Sequence, residues 1–408
     1  MTKIKKQGEL ALTVLPLYEK IELQTVQAPE KKGRNYYMLR KKLSVLLATA
    51  MVAAAVVGCG GADQAAAPAA EAPAAEAPAE DAAPADDAAA EDAAADDGAE
   101  APAASGDVIT VGYAQVGHES DWRTANTQNY QDVFSAENGY ELSLIDCDND
   151  NAVQLEAVRN FITQQLDYII IAPIETAGWD TVLQEAQDAG IPVIIADREI
   201  DAGADMYDAW VGTNTKNEGI TAGNWLAEYL NGEEANILVI EGSVGASATL
   251  GRSEGFNEVA AQHSEWKILD SQSGDFTQDG GQEVMESFIK SYEGQFNVVV
   301  CHNDNEAYGA MDAMKAAGIT YGVDGDVIII SFDATHDGLQ YTLDGAINCN
   351  VECNPIQAAV VAEVIQKMHN GEDYEATTLV NDEAFVAPGI ESQYATTMTE
   401  EILAGRAY

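Results

Sequence analysis

From residue 107 onward, apolar runs of strand length recur along the chain. They are VITVGYAQV (108–116), YELSLID (140–146), YIIIAP (168–173), PVIIAD (192–197), ANILVIEG (235–242), VVVCHND (298–304), VIIISFD (327–333) and INCNVEC (347–353). Between most of them lie stretches with apolar residues at helical spacing, such as VQLEAVRNFITQQL (153–166), WDTVLQEAQDAG (179–190) and AAVVAEVIQKMHNG (358–371). A strand covered on both faces needs a continuous Val/Ile run, and amphipathic helices supply the cover. The pattern predicts an α/β fold with buried parallel strands. A segment of about 300 residues is large for one hydrophobic core, so two lobes are expected.

Several of these runs end on polar residues. One reaches Asp197 and Arg198, another Asn303 and Asp304, another Asp333, and the last passes Glu352 to Asn354. A single such ending is a turn signal, since Asp and Asn favour turns. Four together predict a polar cleft, because ligands of open α/β sheets bind outside the carboxyl ends of the strands. Asp, Asn, Glu and Arg supply donors and acceptors together, which suits a ligand covered in hydroxyls.

Charge divides the chain into three parts. The 408 residues carry 20 Lys+Arg against 68 Asp+Glu, a formal net charge of −48. A polyanion would be repelled, which excludes nucleic acid as the main ligand. Residues 1–58 hold 10 of the basic residues and 4 of the acidic ones; residues 60–106 hold 12 acidic residues and no Lys or Arg. The remainder, 107–408, has a net charge of −42. Only five arginines fall in it: Arg123, Arg159, Arg198, Arg252 and Arg406. Arg123, Arg198 and Arg252 are placed in loops after strands or at helix starts. Each is either a solvated partner of nearby carboxylates, worth little, or a rigid donor fork aimed at ligand oxygens or at an Asp that binds them. Trp122 in HESDWR and Phe276 in SGDFT sit beside this set. Their rings are candidates to pack on the C–H face of a sugar, the alternative being ordinary core filling.

The first two parts are not expected to belong to the fold. MLRKK at Met38 precedes LSVLLATAMVAAAVV and then Gly58 and Cys59. A basic stub before a short apolar run reads as a secretory signal (38–58), too short to span a membrane permanently. Its end resembles a lipoprotein cleavage box, with Cys59 as the acylated mature N-terminus, and two or three acyl chains anchor stably. Residues 1–37 do not fit a signal and are expected to precede the true start at Met38. The Ala/Pro/acidic stretch 59–106 has nothing to bury and reads as an extended tether.

Other signals fail on inspection. Asp146, Asp148 and Asp150 resemble the start of a calcium loop, but Asn151 stands where its glycine belongs and Ala157 where its last carboxylate belongs. Cys349 and Cys353 lie four apart on a strand and would not converge on a metal. Cys147, Cys301, Cys349 and Cys353 leave disulfide pairing open. No GxSxG, HExxH or P-loop is present. A glycosidase would need an acid–base carboxyl pair among Asp197, Asp333 and Glu352. An Arg neighbour would hold Asp197 ionised and unfit as the acid.

The segments VGYAQVGHESDWR (111–123), AVRNFITQQLDYIIIAPIETAGWDTVLQEAQDAGIPV (157–193), DREID (197–201), EGSVGASATLGRSEGF (241–256), SQSGDFTQDGGQEVMESFIK (271–290) and HNDNEAYGAMDAMKAAG (302–318) carry a family resemblance. From about Val108 to Ile390 the chain resembles the type I periplasmic sugar-binding proteins of ABC transporters, of the ribose/galactose class and most of all its galactofuranose-binding branch. The resemblance implies two Rossmann-like lobes joined by a three-segment hinge. Its crossings fall near Gly212–Asn214, Glu352–Asn354 and residues 381–384, giving one lobe of 107–212 with 354–381 and another of 213–353 with 382–408. By position it implies first-lobe contacts from Ser120, Trp122, Arg123, Asp197 and Arg198. Arg252, Phe276, Asn303 and Asp333 match second-lobe contacts, and Glu352, with Asn354 beside it, matches a polar contact at the hinge. His118 stands where small residues are common. The implied activity is binding without chemistry or cofactor: a monosaccharide is captured as the lobes close, then delivered to an ABC permease and its ATPase subunits. The protein is then a monomer outside the cytoplasmic membrane, lipid-anchored to its outer face. A sensory lipoprotein presenting the same sugar to a chemoreceptor or sensor kinase stays open as an alternative.

Overall fold

The computed structural model describes residues 108–408. The expected signal, Cys59 and the tether lie outside the described residues.

The apolar runs form strands and the periodic stretches form helices, in strict alternation over most of the chain. The first lobe is built from β1 (Ile109–Gln115), α1 (Asp121–Val133), β2 (Tyr140–Asp146), α2 (Asn151–Gln164), β3 (Tyr168–Ile171), α3 (Asp180–Ala189), β4 (Val193–Asp197) and β5 (Ala209–Gly212). The chain then enters a second sheet through α4 (Thr215–Leu230), β6 (Ala235–Glu241), α5 (Ser247–Ala260), β7 (Trp266–Ser273), α6 (Gln278–Tyr292), β8 (Val298–Cys301), α7 (Asp304–Ala317), β9 (Ile328–Asp333), α8 (His336–Leu343) and β10 (Cys349–Glu352). It returns to the first lobe for α9 (Ala358–Asn370) and β11 (Thr377–Leu379). It crosses once more for β12 (Ala384–Val386), β13 (Thr396–Thr397) and α10 (Glu400–Ala404).

The first sheet has the order β11-β5-β4-β3-β1-β2 and the second β13-β12-β10-β9-β8-β6-β7. The fold is therefore two parallel-sheet α/β lobes linked by three chain crossings. One departure from all-parallel pairing is β12, which runs antiparallel to β10. β5, β7, β11, β12 and β13 were not among the apolar runs. β7 is an edge strand whose polar DSQS end breaks any continuous apolar run; the other four have four residues or fewer, too short to show a period.

Burial follows the strand period of two. In β6, Ile237 and Val239 face the helix carrying Trp225 and Leu226. Leu238 and Ile240 face the opposite layer, with Met285, Phe288 and Met314. The register sets strand ends level: Asp197 pairs with Gly212 in one sheet, and Asp333 with Glu352 in the other. Both sets of carboxyl ends open toward the space between the lobes.

Candidate functional site

The first-lobe wall grows out of the carboxyl ends of β1 and β4. Ser120 caps α1 by accepting from the Arg123 amide at 3.2 Å. That fixes the first helical turn, so Trp122 and Arg123 point inward, both buried. Arg123 is fully engaged: Nε donates to Glu119 at 3.0 Å, Nη1 to Gln115 at 3.2 Å and Nη2 to Asp197 at 2.8 Å. Burial works against its charge, but Asp197 and Glu119 outweigh that and hold its pKa above the ordinary arginine value. Trp122 Nε1 donates to the Cys353 carbonyl, tying the wall to the second crossing.

Asp197 ends β4 with φ at 62°, in the left-handed region. Such a conformation in a non-glycine residue costs on the order of 1–3 kcal/mol and persists where the surroundings demand it. Here it turns the chain so that Asp197 meets Arg123 and the next residue, Arg198, enters the cleft. Arg198 differs from Arg123 in how little it is used. Its protein contacts are long, 3.4 Å from Nη1 to the Ile174 carbonyl and 3.5 Å from Nη2 to Glu119. Burial and the neighbouring Arg123 lower its pKa, so it is a buried cation with donors to spare. Glu119 serves both guanidiniums. Burial would raise its carboxyl, but Arg123 and Arg198 together hold it below the usual value.

The second-lobe wall has the same logic. Arg252, in the second turn of α5 rather than at its start, donates from Nε to Glu218 at 2.7 Å, from Nη2 to Asp333 at 3.1 Å and from Nη1 to the His302 carbonyl. Burial raises the Asp333 carboxyl and Arg252 opposes that rise. Asn303 caps α7 by accepting from the Glu306 amide at 2.8 Å, and its Nδ2 donates to the Phe276 carbonyl at 2.9 Å. The Phe276 amide in turn donates to Glu306 at 3.0 Å. These bonds hold Phe276 at φ 62°, with its ring facing the first lobe.

The lobes are closed on each other. Asp121 and Asn305 exchange two hydrogen bonds, at 3.1 and 3.2 Å. The Thr176 amide donates to the Gly245 carbonyl at 3.0 Å, and the Glu199 amide to Ser247 at 2.8 Å. Between them lies a small cavity lined by side chains of both lobes.

Nine of the eleven predicted binding residues line this cavity. Ser120, Trp122, Arg123, Asp197 and Arg198 come from one lobe; Arg252, Phe276, Asn303 and Asp333 come from the other. Glu352 and Asn354 do not. Glu352 turns to the back of the second lobe, where Arg406 and Tyr408 hold it. Asn354 accepts from the Ile356 amide at 2.9 Å and braces the crossing. Side chains alternate along an extended segment, so it is Cys353, between them, that reaches the cavity. Sequence reasoning missed Cys353, Glu119 and Ala248. Glu119 had a readable signal, standing four residues before Arg123 in the same segment.

Residues 111–373 match the family model described as a periplasmic binding protein domain. The chain belongs to the periplasmic binding protein family. Among its relatives, the galactofuranose-binding protein YtfQ of Escherichia coli is 39% identical over 262 residues, 64% of this chain and 81% of that one. A solved Mycobacterium smegmatis protein in complex with β-D-fucofuranose is 41% identical with a TM-score of 0.66, covering 68% of this chain and 91% of that one. The binding-protein component of the arabinose ABC transporter of Shewanella sp. ANA-3, bound to α- and β-L-arabinofuranose, is 36% identical with a TM-score of 0.65, covering 68% and 92%.

In this periplasmic binding protein several discounted features have structural roles. Asp150 caps α2, accepting from the amides of Ala152 and Val153. Cys147, Cys301, Cys349 and Cys353 are buried and free. His118 pairs with Asp146 and does not line the cavity.

Proposed function

We propose that this protein is the receptor of an ABC sugar importer and that it binds a monosaccharide in its five-membered ring form, galactofuranose or a close relative. The observation that carries the reading is the closed interlobe cavity, with Arg198 holding unfilled donors opposite the Phe276 ring. Arg198 would donate to ring hydroxyls, and Asp197 and Asp333, held by Arg123 and Arg252, would accept from them. Phe276 and Trp122 would cover the C–H faces. The furanose preference rests on the ligands named for the three relatives above, galactofuranose, fucofuranose and arabinofuranose.

The activity is binding without catalysis. Asp197 and Asp333 at the cavity wall are each bonded to a guanidinium, that of Arg123 and that of Arg252, an arrangement suited to fixed hydrogen-bonding partners. An open form admits the sugar; closure adds the second lobe's hydrogen bonds and presents both lobes to a permease. Ligand favours the closed state only by its differential affinity for it. Delivery to a permease with its ATPase subunits, a monomeric state and an extracytoplasmic location fit this role. So does a lipid anchor at Cys59 with residues 60–106 as tether.

A thermal-shift screen of the full chain against galactofuranose, galactose, ribose, arabinose and xylose tests the proposal. Ligand at one hundred times its dissociation constant adds about 2.7 kcal/mol, a melting shift of a few degrees. The ring-locked pair 1,4-anhydrogalactitol and 1,5-anhydrogalactitol separates ring sizes. A shift with the five-membered ring alone is expected. A shift with the six-membered ring alone overturns the furanose reading, and no shift with any sugar overturns the sugar-receptor reading.

A further inference from the structure

Glu352 is 2% exposed, yet it faces away from the cavity. One of its oxygens accepts from both Arg406 Nη2 and the Tyr408 hydroxyl; the other accepts from the Glu383 amide at 2.8 Å. The second arm of Arg406, Nη1, lies 3.3 Å from the Glu383 carboxylate. Its guanidinium carbon sits 5.1 Å from the Phe385 ring centroid and 5.0 Å from that of Tyr408.

The positions of these partners give the contact a meaning beyond anchoring a chain end. Glu352 is the last residue of β10, where the second crossing leaves the lobe. Glu383 immediately precedes β12, where the third crossing arrives. The two crossings are further stitched by the Glu352 amide donating to the Glu383 carbonyl at 2.8 Å, and by the Asn354 amide donating to Asp382 at 3.0 Å. Arg406 therefore bridges two of the three segments that must bend when the lobes part, and it does so without touching the cavity.

We propose that Arg406 and Tyr408 form a clasp that binds the second and third crossings into one post and thereby sets how far the lobes open. Hinge motion is absorbed by a few φ/ψ changes at element ends. With the clasp made, those changes are confined to the first-lobe side, residues 353–357 and 380–382. With it broken, only the backbone ladder and the Glu352–Glu383 bonds hold the ends of β10 and β12 together, the post loosens and wider opening becomes accessible. Ligand affinity falls as the closure-competent fraction falls. Arg406 and Tyr408 are thus positioning residues for ligand capture.

The inference rests on the receptor reading above, and its test reads opening directly. In the full chain with Cys59→Ser, spin labels are placed at Asp180→Cys on α3 and Leu250→Cys on α5, both exposed and on opposite lobes. The other four cysteines are buried. Pulsed dipolar distances are measured without ligand, with and without Arg406→Ala and Tyr408→Phe. The ratio of open to closed protein is expected to rise about tenfold in Arg406→Ala, with sugar affinity weaker by up to the same factor through a faster off-rate. Tyr408→Phe is expected to fall between. Identical distributions in a folded Arg406→Ala protein and its parent overturn the clasp and leave the receptor standing. A parent protein with no open population overturns both. If Arg406→Ala does not fold, Tyr408→Phe decides alone, and a distribution matching the parent overturns the proposal.

Discussion

Arg198 of the first lobe faces Phe276 of the second across the closed cavity, with the guanidinium carbon 5.1 Å from the ring centroid. A guanidinium stacked on a ring keeps its in-plane N–H groups free for other acceptors. The pair is thus both a contact between lobes and an unfilled donor set.

Arg198→Ala is expected to weaken sugar binding by at least one hundredfold, about 2.7 kcal/mol, while leaving the fold intact. Its protein contacts are long and Arg123 repels it, so the ligand-free protein loses little. Phe276→Ala should cost about tenfold or more, since the ring contributes both packing and a cation–π contact. Isothermal titration with parallel melting curves checks both. Affinity retained within threefold in Arg198→Ala would show that its spare donors do not meet the ligand.

Glu119→Gln should damage both binding and stability. Glu119 is the carboxylate shared by Arg123 and Arg198, at 3.0 and 3.5 Å. Removing its charge leaves two buried guanidiniums with Asp197 as their nearest remaining partner. Breaking a buried pair costs about 3–5 kcal/mol, much of it the stranded charge. Urea unfolding should show a loss approaching that range, and sugar titration at least a tenfold loss.

The architecture was readable wherever a pattern repeats. The long Val/Ile runs ended within three residues of their predicted limits, the widest miss being β8, which stops at Cys301 before the polar residues 302–304, because burial on both faces leaves no room for polar residues. β5 and β11 were not, because four and three residues carry no period. At the cavity, Asp197, Arg198, Asn303 and Asp333 were legible as polar residues at strand ends. Glu352 shared that signature, yet the structure turns it to Arg406, more than fifty residues away in sequence. Strand-end position says that a residue is near the cleft. Which way its side chain turns depends on partners the local sequence does not name.

Asp304 makes stability depend on pH in a defined window. It is fully buried and accepts from Ser331, from the Thr335 amide and hydroxyl, and from Asn350. No cation pairs with it among the described residues. Burial pushes its carboxyl up to about 6 from an ordinary 3.8, against the pull of those donors. Between these two values the folded state holds a proton that the unfolded chain has released, so this contribution falls as pH rises through the window and is flat above it. The loss is on the order of 3 kcal/mol. Asp304→Asn cannot titrate, and it turns an amide toward groups that already donate. It should be less stable than the parent at both pH 4.5 and pH 7, by about 1–3 kcal/mol, with a smaller difference between the two pH values. Urea unfolding at both measures this; an unchanged pH difference would mean Asp304 keeps its ordinary value.

The position of Arg252 depends on how closely α4 and α5 approach. A Cβ on Gly255 would lie 2.0 Å from the Lys216 carbonyl oxygen, and one on Gly219 would lie 2.3 Å from the Arg252 carbonyl oxygen. Both obstacles are backbone, which cannot swing aside as a flexible side chain would, so Gly255→Ala must push the two helices apart. Overpacking of this kind costs about 1–3 kcal/mol. It should also move Arg252 away from Asp333, whose contact is already 3.1 Å. The expected outcome is a melting temperature lower by several degrees together with sugar binding weakened at least fivefold, although Gly255 does not line the cavity. Gly405→Ala, where the nearest backbone oxygen is 3.4 Å away, serves as the comparison and should change neither. Normal affinity in Gly255→Ala despite a lower melting temperature would separate helix spacing from the placement of Arg252.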